Sequence, residues 1–288
     1  MRGTLAPTEG ICQADTDERL ISLWLHGRSP HTTSAYRSDI KRLLDFTGKE
    51  LRQITLADLQ DFADSLDKLA PASKARTLAA VKSCFAYGHR IGYLPFDVGA
   101  AVRLPKVKNT LTERILGEAE VHSMIVKEPN LRNRVLLKLL YAAGLRVSEA
   151  CALTWKDVTE RGEAGQVVVF GKGGKTRAVL LCQSVYRDLQ ALKGQEKPAP
   201  TDPVFRSRKG GHLDSSQVLR IVRAAARRAG VELPVSPHWL RHAHASHALD
   251  RGCPIHLVQS TLGHASVSTT GIYLHARPED SSARYLGL

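Results

Sequence analysis

The spacing of apolar residues in the first third of the chain limits the fold more than any other feature. From His31 to Phe46, Tyr36, Ile40, Leu43 and Leu44 fall at i, i+4, i+7 and i+8, one buried stripe of a helix. Arg37, Lys41 and Arg42 lie largely off that stripe. Thr55 suits an N-cap, and Leu56, Leu59, Phe62 and Leu66 give a second helix its apolar side. Pro71 fits the first turn of a third helix, in which Leu78, Val81 and Phe85 repeat at i, i+3 and i+7. Lys74, Arg76, Lys82 and Arg90 decorate that helix, as a binding face or simply a solvated one. No strand-like alternation interrupts these segments, so a small all-helical module is expected.

The rest is mixed. Arg103 to Thr110 combines a proline, polar residues and three cations without periodicity, the composition of a linker. Arg132 to Tyr141 is helical, with Val135, Leu136, Leu139 and Leu140 as its apolar stripe and Gly144 as its stop. Ser148 is expected to cap the short helix that follows. Gln166 to Phe170 and Arg177 to Leu181 are β-rich runs around the glycine-rich segment 171–176, which reads as a hairpin. A helix from Ser215 to Ala229, ended by Gly230, turns Val218, Ile221, Val222 and Ala225 inward and projects Arg220, Arg223 and Arg227 to one side. The expected class is α+β: mainly helical, with a small β-hairpin. At roughly 150 residues per domain, 288 residues make two domains. The expected division is an N-terminal helical domain at 1–104, a basic linker at 105–112 and a second domain at 113–288.

Charge narrows the partners. Lysine and arginine total 41 against 28 acidic residues, a formal charge of +13. Such a surplus releases condensed counterions from a polyanion and so favours nucleic acid, although charge alone does not choose among DNA, RNA and an acidic membrane. With 43% hydrophobic and 24% charged residues the chain is not of disordered composition. It has no run of about 18 apolar residues for a membrane span and no apolar leader at its start. The five cysteines, Cys12, Cys84, Cys151, Cys182 and Cys253, are widely spaced without a CxxC pair. They fit free thiols in a reducing compartment, so a cytoplasmic location is expected.

Four segments carry candidate chemistry. Arg146 follows the stop at Gly144 and precedes a helix start, a place suited to gripping phosphate; Glu149, three residues on, is close enough to orient it. A surface salt bridge is the plain alternative. Gly174-Lys175-Thr176 resembles the end of a P-loop, but the required earlier glycine falls on Val169 and the segment reads strand-turn-strand, so no nucleotide cofactor is expected. What remains is a hairpin tip carrying Lys172, able to reach a groove or merely solubilise a turn. His238, Arg241, His242 and Ala245 share one helical face; without an HExxH pattern, and with a cation amid the histidines, a phosphate suits that face better than zinc. His264 and Tyr273 stand nine residues apart across a Ser/Thr-rich turn. A phenol becomes a nucleophile only where cations stabilise the phenolate and a base is near.

In sequence order, Arg146, Lys172, His238-x-x-Arg241, His264 and Tyr273 match the active-site set of the tyrosine recombinases, the phage integrase family. The strings GLRVSE, GKGGKTR, HWLRH and LGHASVSTTGIY strongly resemble that family, particularly its bacterial Xer-like branch. The resemblance implies a SAM-like core-binding domain, a linker and a C-terminal catalytic domain. It further implies that Tyr273 attacks a DNA phosphodiester to give a 3′-phosphotyrosyl link, that Arg146 and Arg241 hold non-bridging oxygens, and that Lys172 protonates the departing 5′-oxygen. His238 would act as acid and base toward the tyrosine, His264 would donate to the phosphate, and Glu149 would support Arg146. Neither a cofactor nor a metal ion is expected, since one phosphodiester is exchanged for another. The implied partners are double-stranded DNA with paired recombination sites and a tetramer on that DNA, of this chain alone or with a paralogue. Arg37, Lys41, Lys74, Arg76, Lys82, Lys106, Lys108, Arg220, Arg223 and Arg227 are the expected DNA contacts. Tyr285, Leu286 and Leu288 are candidates for docking on a neighbouring protomer. The same constellation could serve a type IB topoisomerase or a hairpin-forming resolvase, and a DNA-binding accessory protein without chemistry is the alternative outside the enzymes.

Overall fold

A computed structural model describes residues 14–107, 114–171, 176–196, 198–264 and 266–273. The chain divides into two compact units, Met1–Lys108 and Asn109–Leu288, and each is described by itself.

In the first unit every helix start has a local cause. Thr16 caps α1 (Asp17–Leu25) by accepting from the Arg19 amide. Ser29 caps α2 (Pro30–Thr47), whose first position is a proline that lacks the amide hydrogen a helix start leaves unused. Thr55 and Asp58 form a reciprocal capping box at α3 (Leu56–Ser65). Pro71 opens α4 (Pro71–Arg90). The predicted stripes meet in one core, where Ile40, Leu43, Phe62, Leu78, Val81 and Phe85 are fully buried. Truncating Phe62 to alanine there would cost about 3–5 kcal/mol. α1 is not among the helices expected from the sequence; Leu20, Ile21 and Trp24 tie it into this core, and Trp24 stacks on Tyr36 at 5.2 Å. One charged group is buried with the apolar ones. Asp39 accepts from both Arg76 Nη atoms and from the Thr77 hydroxyl, so α2 and α4 are joined by a fully satisfied polar contact.

The second unit is built around α6 (Leu131–Ala142), whose Val135, Leu136, Leu139 and Leu140 are completely buried. α5 (Glu118–Val126), α8 (Gln183–Glu196) and α10 (Pro237–Asp250) pack against it. α9 (Ser215–Ala229) begins at an Asp214–Gln217 capping box and ends at Gly230 in the left-handed conformation. Its buried residues are Val218, Val222, Ala225 and Ala226; Ile221, expected inside, is only half-buried. The hairpin is present as β2 (Ala164–Phe170) and β3 (Thr176–Leu181), paired in register Val167↔Val179, with β1 (Val158–Arg161) added on the outer side of β2. β1 is short and only half-buried at Val158, so it lacks the alternation that would reveal it. The class is therefore mostly helical with a three-stranded antiparallel sheet.

Two local features set up the functional region. α7 (Val147–Ala152) starts two residues earlier than a Ser148 cap would place it. Arg146 is the N-cap residue, and its backbone amide is satisfied by the Glu149 carboxylate at 2.8 Å. Gly144 sits at φ +58°, and a Cβ there would lie 2.7 Å from Leu262, so only glycine lets the chain leave α6 and pass tightly under α11 (Ile255–Leu262). α12 (Val267–Gly271) then leads to Tyr273. Residues 103–107 form neither helix nor strand.

Candidate active site

Helix ends dictate where the cations go. The last turn of α11 presents carbonyls without intrahelical partners, and Gly263 closes it in the left-handed conformation. Three guanidinium groups from distant parts of the chain dock on those carbonyls. Arg241 Nη2 donates to Leu262 O at 2.6 Å, Arg177 Nε to Thr261 O at 2.7 Å and Arg146 Nη2 to Gly263 O at 3.2 Å. Arg241 Nη1 also donates to Gly144 O at 2.5 Å, which ties α10 to the turn that carries Arg146.

Glu149 is the counter-charge. Its buried carboxylate accepts from Arg146 Nη1 at 2.8 Å and from Arg177 Nη1 and Nη2 at 2.7 and 2.9 Å, a two-pronged contact that fixes the Arg177 plane. Burial alone would raise its pKa; the hydrogen bonds from Arg177 and the Arg146 amide outweigh that and hold it below the ordinary carboxylate range. One carboxylate against three guanidiniums leaves the cluster positively charged. Burial, and after it the nearby Arg146, pushes Arg241 down to about 10, which still leaves it charged at neutral pH.

The imidazoles are the opposite case. Burial and the Arg241 charge lower His238, and they lower His264 to about 4. His264 is held by Thr270, whose hydroxyl lies 2.9 Å from Nδ1. His242 is likewise lowered to about 4, by burial first and then by His238 and Arg241. All three are neutral at pH 7 and free to donate from one nitrogen and accept at the other.

Tyr273 is only 4% exposed, packed among Ala245, Val258 and Leu262. Its hydroxyl oxygen lies 2.6 Å from His242 Nδ1. Burial raises the phenol's pKa, and the Arg241 charge works against that rise. Arg146, His238, Arg241, His264 and Tyr273 are thus gathered at one end of α10 and α11, while Lys172 lies outside the described residues. Among the described residues no group of three or more histidine, cysteine, aspartate or glutamate side chains is placed to hold a metal ion.

Two residues here were given no role from the sequence: Arg177 was not singled out, and His242 was placed only on the helical face it shares with His238 and Arg241. Arg177 had a usable signal: along β3 it shares a face with the buried Val179 and Leu181, and a cation on the inward side of a strand requires a partner. His242 stood on the right helical face, but only the fold shows which hydroxyl it meets.

The expected DNA contacts are placed unevenly. Lys82 Nζ donates to the carbonyls of Gly99, Ala100 and Val102 at 2.6–2.9 Å, so it fastens a 3-10 turn. Lys41 pairs with Asp45, Lys74 with Asp67 and Arg76 with the buried Asp39. Arg37 and Lys106 are exposed, as are Arg220, Arg223 and Arg227 along α9. Lys108, Tyr285, Leu286 and Leu288 lie outside the described residues. No described helix is long and apolar enough to cross a membrane.

Comparison with known proteins places the whole chain in one family. Residues 112–280 match the model of the phage integrase family, and residues 20–91 match the phage integrase N-terminal SAM-like domain. The chain is 33% identical to tyrosine recombinase XerD of Vibrio cholerae, over 97% of this chain and 96% of that protein. It is 36% identical to XerD of Pseudomonas aeruginosa (93% and 96%), and 34% identical to XerC of Xanthomonas campestris (86% and 79%). Among solved structures it is similar to the XerH site-specific recombinase bound to difH substrate in a pre-cleavage complex, with 23% identity, 95% and 84% coverage and a TM-score of 0.73. It is also similar to a lambda integrase tetramer bound to a Holliday junction, with 20% identity, 92% and 77% coverage and a TM-score of 0.74.

Proposed function

This chain belongs to the phage integrase family and is a tyrosine recombinase of the Xer type, an enzyme of site-specific DNA recombination; from that premise we propose the following division of labour among its residues. Tyr273 attacks a phosphodiester of DNA. Its oxygen bonds to phosphorus, the bond to the 5′-oxygen breaks, and a 3′-phosphotyrosyl link and a free 5′-hydroxyl result. Attack builds a second negative charge on the phosphoryl group, and Arg146 and Arg241 hold its non-bridging oxygens. Both guanidiniums are already oriented, by Glu149, by Gly144 O and by the end of α11, so little reorganisation accompanies the reaction. Arg177 acts through Glu149 and is a positioning residue. His264 donates to the same phosphate, Lys172 protonates the departing 5′-oxygen, and His238 serves as acid and base toward the tyrosine.

The bond broken and the bond formed are both phosphodiesters, so the exchange needs no ATP and reverses readily. Attack by the 5′-hydroxyl of another strand then yields a four-way junction and, after a second exchange, recombinants. Two recombining sites, each bound by two protomers, give a tetramer of this chain, or of this chain and a paralogue. The helical unit and the catalytic unit supply the cationic surface for the duplex, with Arg37, Lys106 and the Arg220, Arg223, Arg227 stripe at the backbone.

The observation that carries this reading is the docking of three guanidiniums on one helix end beside a buried tyrosine. The test is a plasmid with two identical sites for this protein. Recombinant circles formed by the wild type and lost in Tyr273→Phe support it. Relaxed circles without recombinants would mark a topoisomerase, and binding without strand exchange an accessory protein.

A further inference from the structure

We infer that His242 is a further catalytic residue, whose Nδ1 takes the phenolic proton of Tyr273 as the tyrosine oxygen attacks phosphorus. The inference rests on the reading of Tyr273 as the nucleophile. Tyr273 Oη is 2.6 Å from His242 Nδ1, within the reach a general base needs. Among the described residues no hydrogen bond joins Tyr273 to His238, the histidine expected to serve it, so the first proton acceptor is His242. The His238 and His242 ring centroids are 6.4 Å apart and those of His242 and Tyr273 5.7 Å, so His242 neighbours both rings. These neighbours follow from sequence: His238 and His242 are four residues apart on α10 and share a face, while the turn after α12 seats Tyr273 against Ala245, Val258 and Leu262. With the tyrosine nearly inaccessible to solvent, bulk water is a poor recipient for the proton, and the imidazole already touching the hydroxyl takes it.

The charges around His242 fit that task. His238 and Arg241 from its own helix, Arg114 ahead of α5, His264 after α11 and Tyr273 after α12 all act on it. In the absence of DNA the net influence keeps the ring neutral, with Nδ1 ready to accept. When the phosphate enters, its growing negative charge favours the imidazolium while Arg241 favours the phenolate, and the two ionisations support each other. The step balances: the phenolic proton moves to Nδ1, the tyrosine oxygen bonds to phosphorus, the 5′-oxygen leaves with the bonding pair and takes its proton from Lys172. On rejoining, His242 returns the proton to the phenol.

The test uses the full chain and a nicked duplex that traps the covalent adduct, with either oxygen or sulfur at the 5′-bridging position. Sulfur leaves as a thiolate without a proton, so it compensates for a missing leaving-group acid and does nothing for a missing base at the nucleophile. His242→Asn keeps an acceptor near the Nδ1 position but takes up no proton. It is expected to bind duplex as the wild type does and to cleave about 10²- to 10⁴-fold more slowly. Its rate should climb steeply with pH as hydroxide replaces the base, and its deficit should be the same on the sulfur substrate. His242→Gln carries the same expectations. A wild-type rate in either variant, or recovery on sulfur, would overturn the assignment. An adduct still formed by Tyr273→Phe would instead defeat the underlying reading of the nucleophile; no adduct there, with His242→Asn at full rate, defeats only the role of His242.

Discussion

At the scale of single residues, Glu149 and the guanidiniums around it form one unit, and substitutions should separate binding from chemistry. Arg146→Ala or Arg241→Ala should slow cleavage by 10²–10³, about 2.7–4 kcal/mol, as expected for loss of a preorganised donor, with duplex affinity changed far less; equal losses in both would contradict the assignment. Glu149→Ala leaves Arg177 without its buried partner and should lower stability by about 3–5 kcal/mol in urea unfolding. The histidines give a pH signature. His242, His244 and His264 all have folded pKa values of about 4 against an ordinary 6.5, so the unfolded chain binds more protons between those values. Stability should be fully present above about pH 6.5 and fall as pH drops toward 4; a flat melting temperature across that window would show that these rings are not buried neutral. The sequence makes Arg146, His238, Arg241, His264 and Tyr273 legible because each stands in a compact motif. Arg177 and His242 are hidden because their partners, Glu149 and Tyr273, are brought to them by tertiary packing.

At the scale of elements, the site depends on how α6, α7, α10 and α11 end or begin. Gly144 combines a left-handed backbone with contact against Leu262 and His244. Gly144→Ala should therefore cost about 1–3 kcal/mol and also reduce cleavage, because Arg146 hangs from the same turn. Unfolding and single-turnover cleavage measured together check this; lost stability with an unaltered cleavage rate would mean that the turn does not position Arg146. Long amphipathic elements such as α2, α4, α6 and α9 are readable from periodicity and caps. α1 does carry a signal, with a Thr16 cap, Asp17 and Glu18 in its first turn and Leu20, Ile21, Trp24 and Leu25 buried on one side, although it is not among the helices expected from the sequence. β1 is not readable: it is short and draws its pairing from β2 rather than from its own pattern. Ser148 fails as a cap for a related reason, since the Glu149 carboxylate satisfies the Arg146 amide and starts α7 earlier.

At the scale of the whole molecule, the charge of +13 anticipates a polyanion but not which cations meet it. Lys82 is consumed by backbone carbonyls and Arg76 by Asp39, so composition overstates the cations free for DNA. If the exposed α9 stripe lies on the phosphate backbone, replacing Arg220, Arg223 and Arg227 with alanine should lower the slope of log affinity against log salt by about 3; an unchanged slope would move the duplex to another face. The central claim concerns a single oxygen atom, and the most direct measurement is to trap the protein on a nicked duplex, digest it and find the nucleotide-bearing peptide by mass spectrometry. The account predicts that the nucleotide is carried by Tyr273; a nucleotide on any other side chain would contradict it.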